Sequence, residues 1–143
     1  MSDVRLDAIS IDDLEFLRQL RNRERRWFFD QTEITPEAQT RWHQSLAANG
    51  NQHWYLVRVD GRRAGCFAIK VGDDRRAEVR CILLAPEFRG RGVMTRAIAM
   101  AMDQLGDDLR FFAEVLPDNQ NSLHLFNRLG FTPTFVMVER RST

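Results

Sequence analysis

The segment Leu83-Leu84-Ala85-Pro86-Glu87-Phe88-Arg89-Gly90-Arg91-Gly92-Val93-Met94-Thr95 joins an apolar run to a helical pattern through a glycine-bearing turn. A turn of this kind, set between a strand and a helix N-terminus, can aim several backbone N–H groups at one point, where the positive end of the helix dipole also favours an anion. Gly90 and Gly92 let the backbone approach a ligand closely, and Arg89 and Arg91 add charge from the rim. Read locally, the same residues also fit an ordinary exposed loop with a helix start, so the rest of the chain has to decide.

The surrounding elements give the turn a setting. Ser10 before Ile11, Asp12 and Asp13 reads as an N-cap with acidic residues in the first turn, and Leu14, Leu17 and Leu20 recur at helical spacing, which predicts a helix from Ile11 to Asn22. Thr35-Pro36-Glu37 opens a second helix that runs through Trp42 and Leu46 to Asn49-Gly50. His53–Val59 and Arg62–Val71 are strand-like runs joined by Asp60-Gly61, a two-residue hairpin signal, and a turn at Gly72 to Arg75 leads into a strand over Ala77–Leu84. After Gly92, the residues Met94, Ala97, Ile98, Ala101, Met102 and Leu105 share one helical face up to Gly106. Leu109–Leu116 reads as a strand, Ser122–Leu129 as a helix stopped by Gly130, and Phe135–Glu139 as a final strand. The expected order is β-α-α-β-β-β-α-β-α-β: an α/β fold in one domain over residues 1–143, with a mixed but mostly antiparallel sheet and helices on both faces.

Composition narrows the function classes. A chain of 143 residues, 43% hydrophobic, can build its own core without a metal or disulfide. With 21 basic against 20 acidic residues the net charge is +1, so no global field draws the chain to nucleic acid or a membrane. The two cysteines, Cys66 and Cys81, form no CxxC motif and no cysteine-histidine group with metal-site spacing. They are expected nearly opposite each other across the hairpin as buried reduced thiols. No metal, no nucleic acid, no membrane partner and a cytoplasmic location are the expectations.

With these elements in place, Arg89-Gly90-Arg91-Gly92-Val93-Met94 resembles the fingerprint of the GNAT superfamily of acyl-CoA N-acyltransferases, which is Arg or Gln, two residues, Gly, one residue, then Gly or Ala. Met94 replaces the last small residue. Glu114 to Phe131, with Pro117-Asp118-Asn119 and Leu129-Gly130-Phe131, looks like the superfamily's strand-helix-GF block. The resemblance covers essentially the whole chain and implies acetyl-CoA as cosubstrate and a primary amine as acceptor. It implies that Ile82, Leu83 and Leu84 pair through their backbone with the pantetheine arm. The pyrophosphate would lie on the turn from Arg89 through Gly90, Arg91, Gly92, Val93 and Met94 to Thr95, and Asn119, Ser122 and Phe126 would meet the cofactor from the fourth helix.

An ammonium must lose its proton before it attacks. The resemblance puts Glu114 where ribosomal-protein N-terminal acetyltransferases carry a catalytic glutamate, and Glu78 is the other candidate base. Phe126 stands where many members carry a tyrosine acid, and phenylalanine donates no proton. His124, nearby, is expected to pack or face solvent. The segment Arg21-Asn22-Arg23-Glu24-Arg25-Arg26-Trp27-Phe28-Phe29 offers Arg21, Asn22, Trp27 and Phe28 as acceptor contacts, or else packs its aromatics between helices and sheet. Its resemblance to enzymes that acetylate nucleotide-linked amino sugars makes such a sugar the leading acceptor. A protein N-terminus or a small-molecule amine is the alternative, as is a non-catalytic acyl-CoA-binding module. A homodimer is common among such relatives.

Overall fold

The computed structural model describes residues 2–140. Its centre is one five-stranded sheet in the order β1 (Val4–Asp7), β2 (Gln52–Val59), β3 (Arg62–Val71), β4 (Arg76–Leu84) and β5 (Arg110–Phe112). The first four strands run antiparallel and β5 joins β4 in parallel. Asp60 and Gly61 take positive φ, 50° and 82°, so the Asp-Gly signal forms the tight turn that fixes the β2–β3 register.

Burial along β3 is continuous from Ala64 to Ile69 rather than alternating, which requires cover on both faces of the sheet. Helix α1 (Leu14–Arg23) packs against β3 and β4 through buried Leu17 and Leu20, and α2 (Pro36–Ser45) packs against α1. Helix α3 (Val93–Leu105) packs on β1 and β2 through the predicted stripe of Met94, Ala97, Ile98 and Ala101, and α4 (Gln120–Arg128) packs on α3. Thr35 caps α2 by accepting from the Ala38 amide at 3.1 Å, with Pro36 as the first helical residue. The N-terminal turn at Ser10 is held by Asp13, whose carboxylate accepts from the Ser10 amide at 2.8 Å. Asp13 is 1% exposed and pairs with Arg63 at 2.8 Å, which ties the start of α1 to β3.

Two sequence expectations are corrected at the far edge of the sheet. The strand expected over Leu109–Leu116 pairs only at Arg110–Phe112. The final strand expected at Phe135–Glu139 does not form: residues 131–140 carry no regular structure, and Phe135, Val136, Met137 and Val138 are 66–86% exposed. An apolar run becomes a strand only where an edge offers it a ladder and a face to pack on, and β5 offers three residues.

Candidate active site

The site is built where β4 runs past the end of β5 and bulges against β3. On one side the pairing with β5 ends at Glu78 and Phe112, so the backbone of Val79–Leu84 has no ladder partner there. On the other, the β3 register steps from Ala68↔Arg80 to Cys66↔Leu83, leaving one extra residue in β4. Cys81 takes φ 58° within this bulge. The close approach is made possible by Gly65, where a Cβ would lie 1.9 Å from the Leu83 carbonyl oxygen. The two cysteines are therefore offset rather than opposite: Cys66 faces Leu83, and its thiol reaches the Cys81 carbonyl oxygen at 4.0 Å. Burial raises the Cys66 thiol above its ordinary pKa. Both thiols are free.

A cleft of about 330 Å³ opens along the splayed strand. Its walls bring together Ile82, Leu83, Leu84, Arg89, Gly90, Gly92, Val93, Met94, Thr95, Asn119 and Ser122 from the expected cofactor set, with Trp27 and Phe28 from the expected acceptor set. Gly90 and Gly92 have φ 79° and 68°, and Gly92 is the N-cap of α3, so the turn needs conformations that glycine adopts without strain. No atom lies within 4 Å of a Cβ built at either position, which leaves the space over the turn open to a ligand. Asn119 caps α4 by accepting from the Ser122 amide at 3.2 Å and lines the cleft as well.

Other expected residues lie elsewhere. Phe126 is 6% exposed and packs at a tilt against Phe131, ring centres 5.0 Å apart, among the core residues and outside the cleft lining. Arg91 donates to the Glu87 carbonyl at 3.2 Å. Asn22 bonds both the amide and the carbonyl of Ile34, at 2.7 and 2.9 Å, and so anchors the chain entering α2. Neither Glu78 nor Glu114 lines this cleft or the second cavity described below; Glu78 lies 3.8 Å from Arg80, and Glu114 is exposed. In their place the cleft holds Glu24, which pairs with Arg89, together with Phe88, His124 and Arg128. Sequence spacing gave no sign of these, because Glu24 and Arg89 are 65 residues apart.

Behind the shared wall of Phe28 and Leu83 lies a second cavity of about 240 Å³, lined by α1, α2, β2, β3 and β4. Trp42 and Trp54 meet edge to face in it at 4.8 Å, beside Leu17 and Ile34. Arg21 lines it with its guanidinium 3.7 Å from the Phe28 ring centre. One arm of Arg21 donates to the Asp30 carbonyl, and its Nη1 is buried with no partner, as is Nε1 of Trp54. A buried donor without an acceptor costs about 1–3 kcal/mol, and more when charged. Burial lowers the Arg21 pKa from its ordinary value.

A strand splayed over a glycine-capped helix start is an arrangement that known proteins share. The profile of the Acetyltransferase (GNAT) family matches residues 14–131. The chain belongs to this family. It is 28% identical over 137 residues to spermidine N(1)-acetyltransferase of Escherichia coli (strain K12), a match that covers 90% of this chain and 73% of that protein. Among solved structures it is similar to spermidine N-acetyltransferase from Vibrio cholerae in complex with CoA and spermine, with TM-score 0.83, 22% identity, and coverage of 96% of this chain and 85% of that one. It is also similar to a dodecameric form of that enzyme, with TM-score 0.75, 24% identity, and 96% and 84% coverage. As a member of the family the chain is an acetyl-CoA-dependent N-acetyltransferase, with the mixed, mostly antiparallel sheet expected of one. Among the described residues no helix is long and apolar enough to cross a membrane, and no group of three His, Cys, Asp or Glu could hold a metal ion.

Proposed function

We propose that this enzyme acetylates a small-molecule primary amine by direct attack, with acetyl-CoA in the cleft along β4 and the amine arriving from the second cavity. The observation that supports this reading is the wall of Phe28 and Leu83 common to both cavities, because occupants of the two would meet across one strand position. The Gly90–Thr95 turn holds the pyrophosphate, with Arg89 adding charge, and the free backbone groups of Ile82–Leu84 pair with the pantetheine arm. An unpaired β4 amide stabilises the oxygen of the tetrahedral intermediate, a donor role worth on the order of 3 kcal/mol. The amine nitrogen bonds to the thioester carbon, the C–S bond breaks, and CoA leaves as a thiolate. A thiol pKa near ~8.5 makes this possible without a tyrosine acid at Phe126.

The amine's proton passes through water to Glu114 or to Glu78, the latter 3.8 Å from Arg80. The spermidine N-acetyltransferase relatives support a small-molecule acceptor. A nucleotide-linked amino sugar is a second reading, supported by the guanidinium of Arg26 lying 4.6 Å over the Trp27 ring at the cleft, where a base or phosphate would meet both. Self-association, supported by the dodecameric neighbour, and a reducing cytoplasmic setting, in keeping with two free thiols, complete the proposal.

The test is release of CoA from acetyl-CoA across a panel of amines that includes spermidine, amino acid derivatives and a nucleotide-linked amino sugar. We expect thiol release that depends on the amine and matches acetylated product one for one. Acetyl-CoA binding without turnover on any amine would instead make the chain an acyl-CoA-binding module. Glu114→Gln or Glu78→Gln should lower kcat by about 10²-fold if that carboxylate takes the proton. If neither does, solvent takes it.

A further inference from the structure

Two of the relatives are spermidine N-acetyltransferases, but the lining of the second cavity is not that of a polycation site. A polycation needs carboxylates to replace its water, and no Asp or Glu lines this cavity. The charged group present is Arg21, a cation that makes no ion pair among the described residues and leaves Nη1 buried and unpartnered. Trp54 Nε1 is a second buried donor with no acceptor. Around them stand Leu17, Ile34, Trp42 and the Phe28 ring. Two vacant donors, one of them positive, in an apolar and aromatic enclosure call for an oxygen acceptor on a compact apolar body. At about 240 Å³ the cavity falls just below the roughly 300–1,000 Å³ usual for drug-sized ligands, so that body is small.

We infer that the acceptor amine is carried by a compact molecule with an aromatic or branched apolar group and a carboxylate or carbonyl oxygen, which Arg21 and Trp54 hold, and that polyamines are excluded. This inference rests on the proposed N-acetyltransferase reading and names its substrate class. The same arrangement favours chemistry, because a nearby guanidinium disfavours the ammonium form and raises the share of neutral, nucleophilic amine. An amine α to a carbonyl starts with a pKa near ~8, well below that of an alkyl amine, and so needs less help from a base. Arg21 and Trp54 would thus set which amine is accepted while touching neither acetyl-CoA nor the thioester.

The experiment is calorimetric titration of the full chain, saturated with CoA so that no transfer occurs, with phenylalanine, phenylalanine amide, phenethylamine and spermidine. Phenylalanine and its amide should bind at least about tenfold more tightly than phenethylamine, which lacks the oxygen, and spermidine should bind most weakly. The first two differ only in carboxylate against carbonyl, so their order says which oxygen the site takes. Arg21→Met should collapse the gap between phenylalanine and phenethylamine, and Trp54→Phe, which keeps the ring and removes the N–H, should narrow it. Both variants should bind acetyl-CoA as the parent does, which shows that they are folded. The inference is overturned if spermidine binds most tightly, if no oxygen-bearing ligand binds at millimolar concentration, or if Arg21→Met leaves the gap unchanged. Turnover with acetyl-CoA is measured separately: tight binding with no product would sink the transferase reading and leave the ligand class of the cavity standing.

Discussion

The two cavities that meet at Phe28 and Leu83 are made of different material. The cleft along β4, the proposed cofactor site, is largely a backbone device: an unpaired strand edge, a turn of positive-φ glycines and the start of α3, all within residues 79–95, joined by the capped start of α4. The second cavity is a side-chain device, assembled from residues as far apart as Leu17 and Leu83 and held in place by α1 and α2. Backbone recognition serves a ligand shared by a whole family, because it tolerates any side chain of the right size. Side-chain recognition is where one member departs from its relatives. The contrast teaches that cofactor and acceptor specificity should be separable by substitution.

The largest effect should come from breaking the backbone device. A Gly90→Val, Gly92→Val double variant forces β-branched residues into positive φ, where the cost is about 1–3 kcal/mol at each site, and fills the open space over the turn. We expect acetyl-CoA affinity to fall at least about 100-fold, while ligands of the second cavity bind within a few-fold of the parent. Calorimetry with each ligand alone measures both. Equal loss at both cavities would show that they are one site energetically.

The same contrast explains what was legible in the sequence. The turn from Arg89 to Thr95 could be read because its requirements are local: glycine where φ is positive, and a helix start directly after it. Asp60-Gly61 and Thr35-Pro36 were readable for the same reason. The second cavity was not, since Trp42, Trp54 and Cys81 meet only once α2 has been laid across the bulged strand, and Arg21 was picked out without the cavity that it lines. Glu24 and His124 were missed as cleft residues because each looks like an ordinary polar position, one just past the end of α1 and the other on α4. Phe135–Glu139 failed in the opposite direction: its residues suit a strand, but pairing is a property of two segments, and β5 supplies too little edge.

A smaller effect, confined to the side-chain device, should follow Asp13→Asn. Asp13 fixes the start of α1, the helix that carries Leu17 and Arg21 into the second cavity. Burial alone would raise its pKa, but the Ser10 amide and hydroxyl and the Arg63 guanidinium together hold it below the usual carboxylate value. A depressed folded pKa means that its stabilisation is complete above the unfolded value of about 3.9 and is lost as pH falls through the lower folded value. The variant should lose about 2 kcal/mol at pH 7 in a denaturant titration, and the difference from the parent should shrink at pH values below about 4. It should also raise KM for the amine several-fold with acetyl-CoA affinity unchanged. A matching loss of acetyl-CoA affinity would mean that α1 supports both cavities.

The smallest effect tests an ion pair at the cleft along β4. Glu24, near the C-terminal end of α1, pairs with Arg89 on the glycine turn, so under the proposed reading part of the positive charge that the turn would offer a pyrophosphate is already answered by the protein. Pairs with one partly exposed partner are worth about 0–1 kcal/mol, and Arg89 is 45% exposed. Glu24→Gln should therefore tighten acetyl-CoA binding by no more than about five-fold at low salt, and the gain should fade as salt screens the freed guanidinium. The sign matters more than the size. If Glu24 only neutralises Arg89, its removal helps the cofactor; if the pair instead holds Arg89 in the direction the phosphates need, the same change weakens binding, and the cofactor cleft would depend on a side-chain contact from α1 much as the second cavity does.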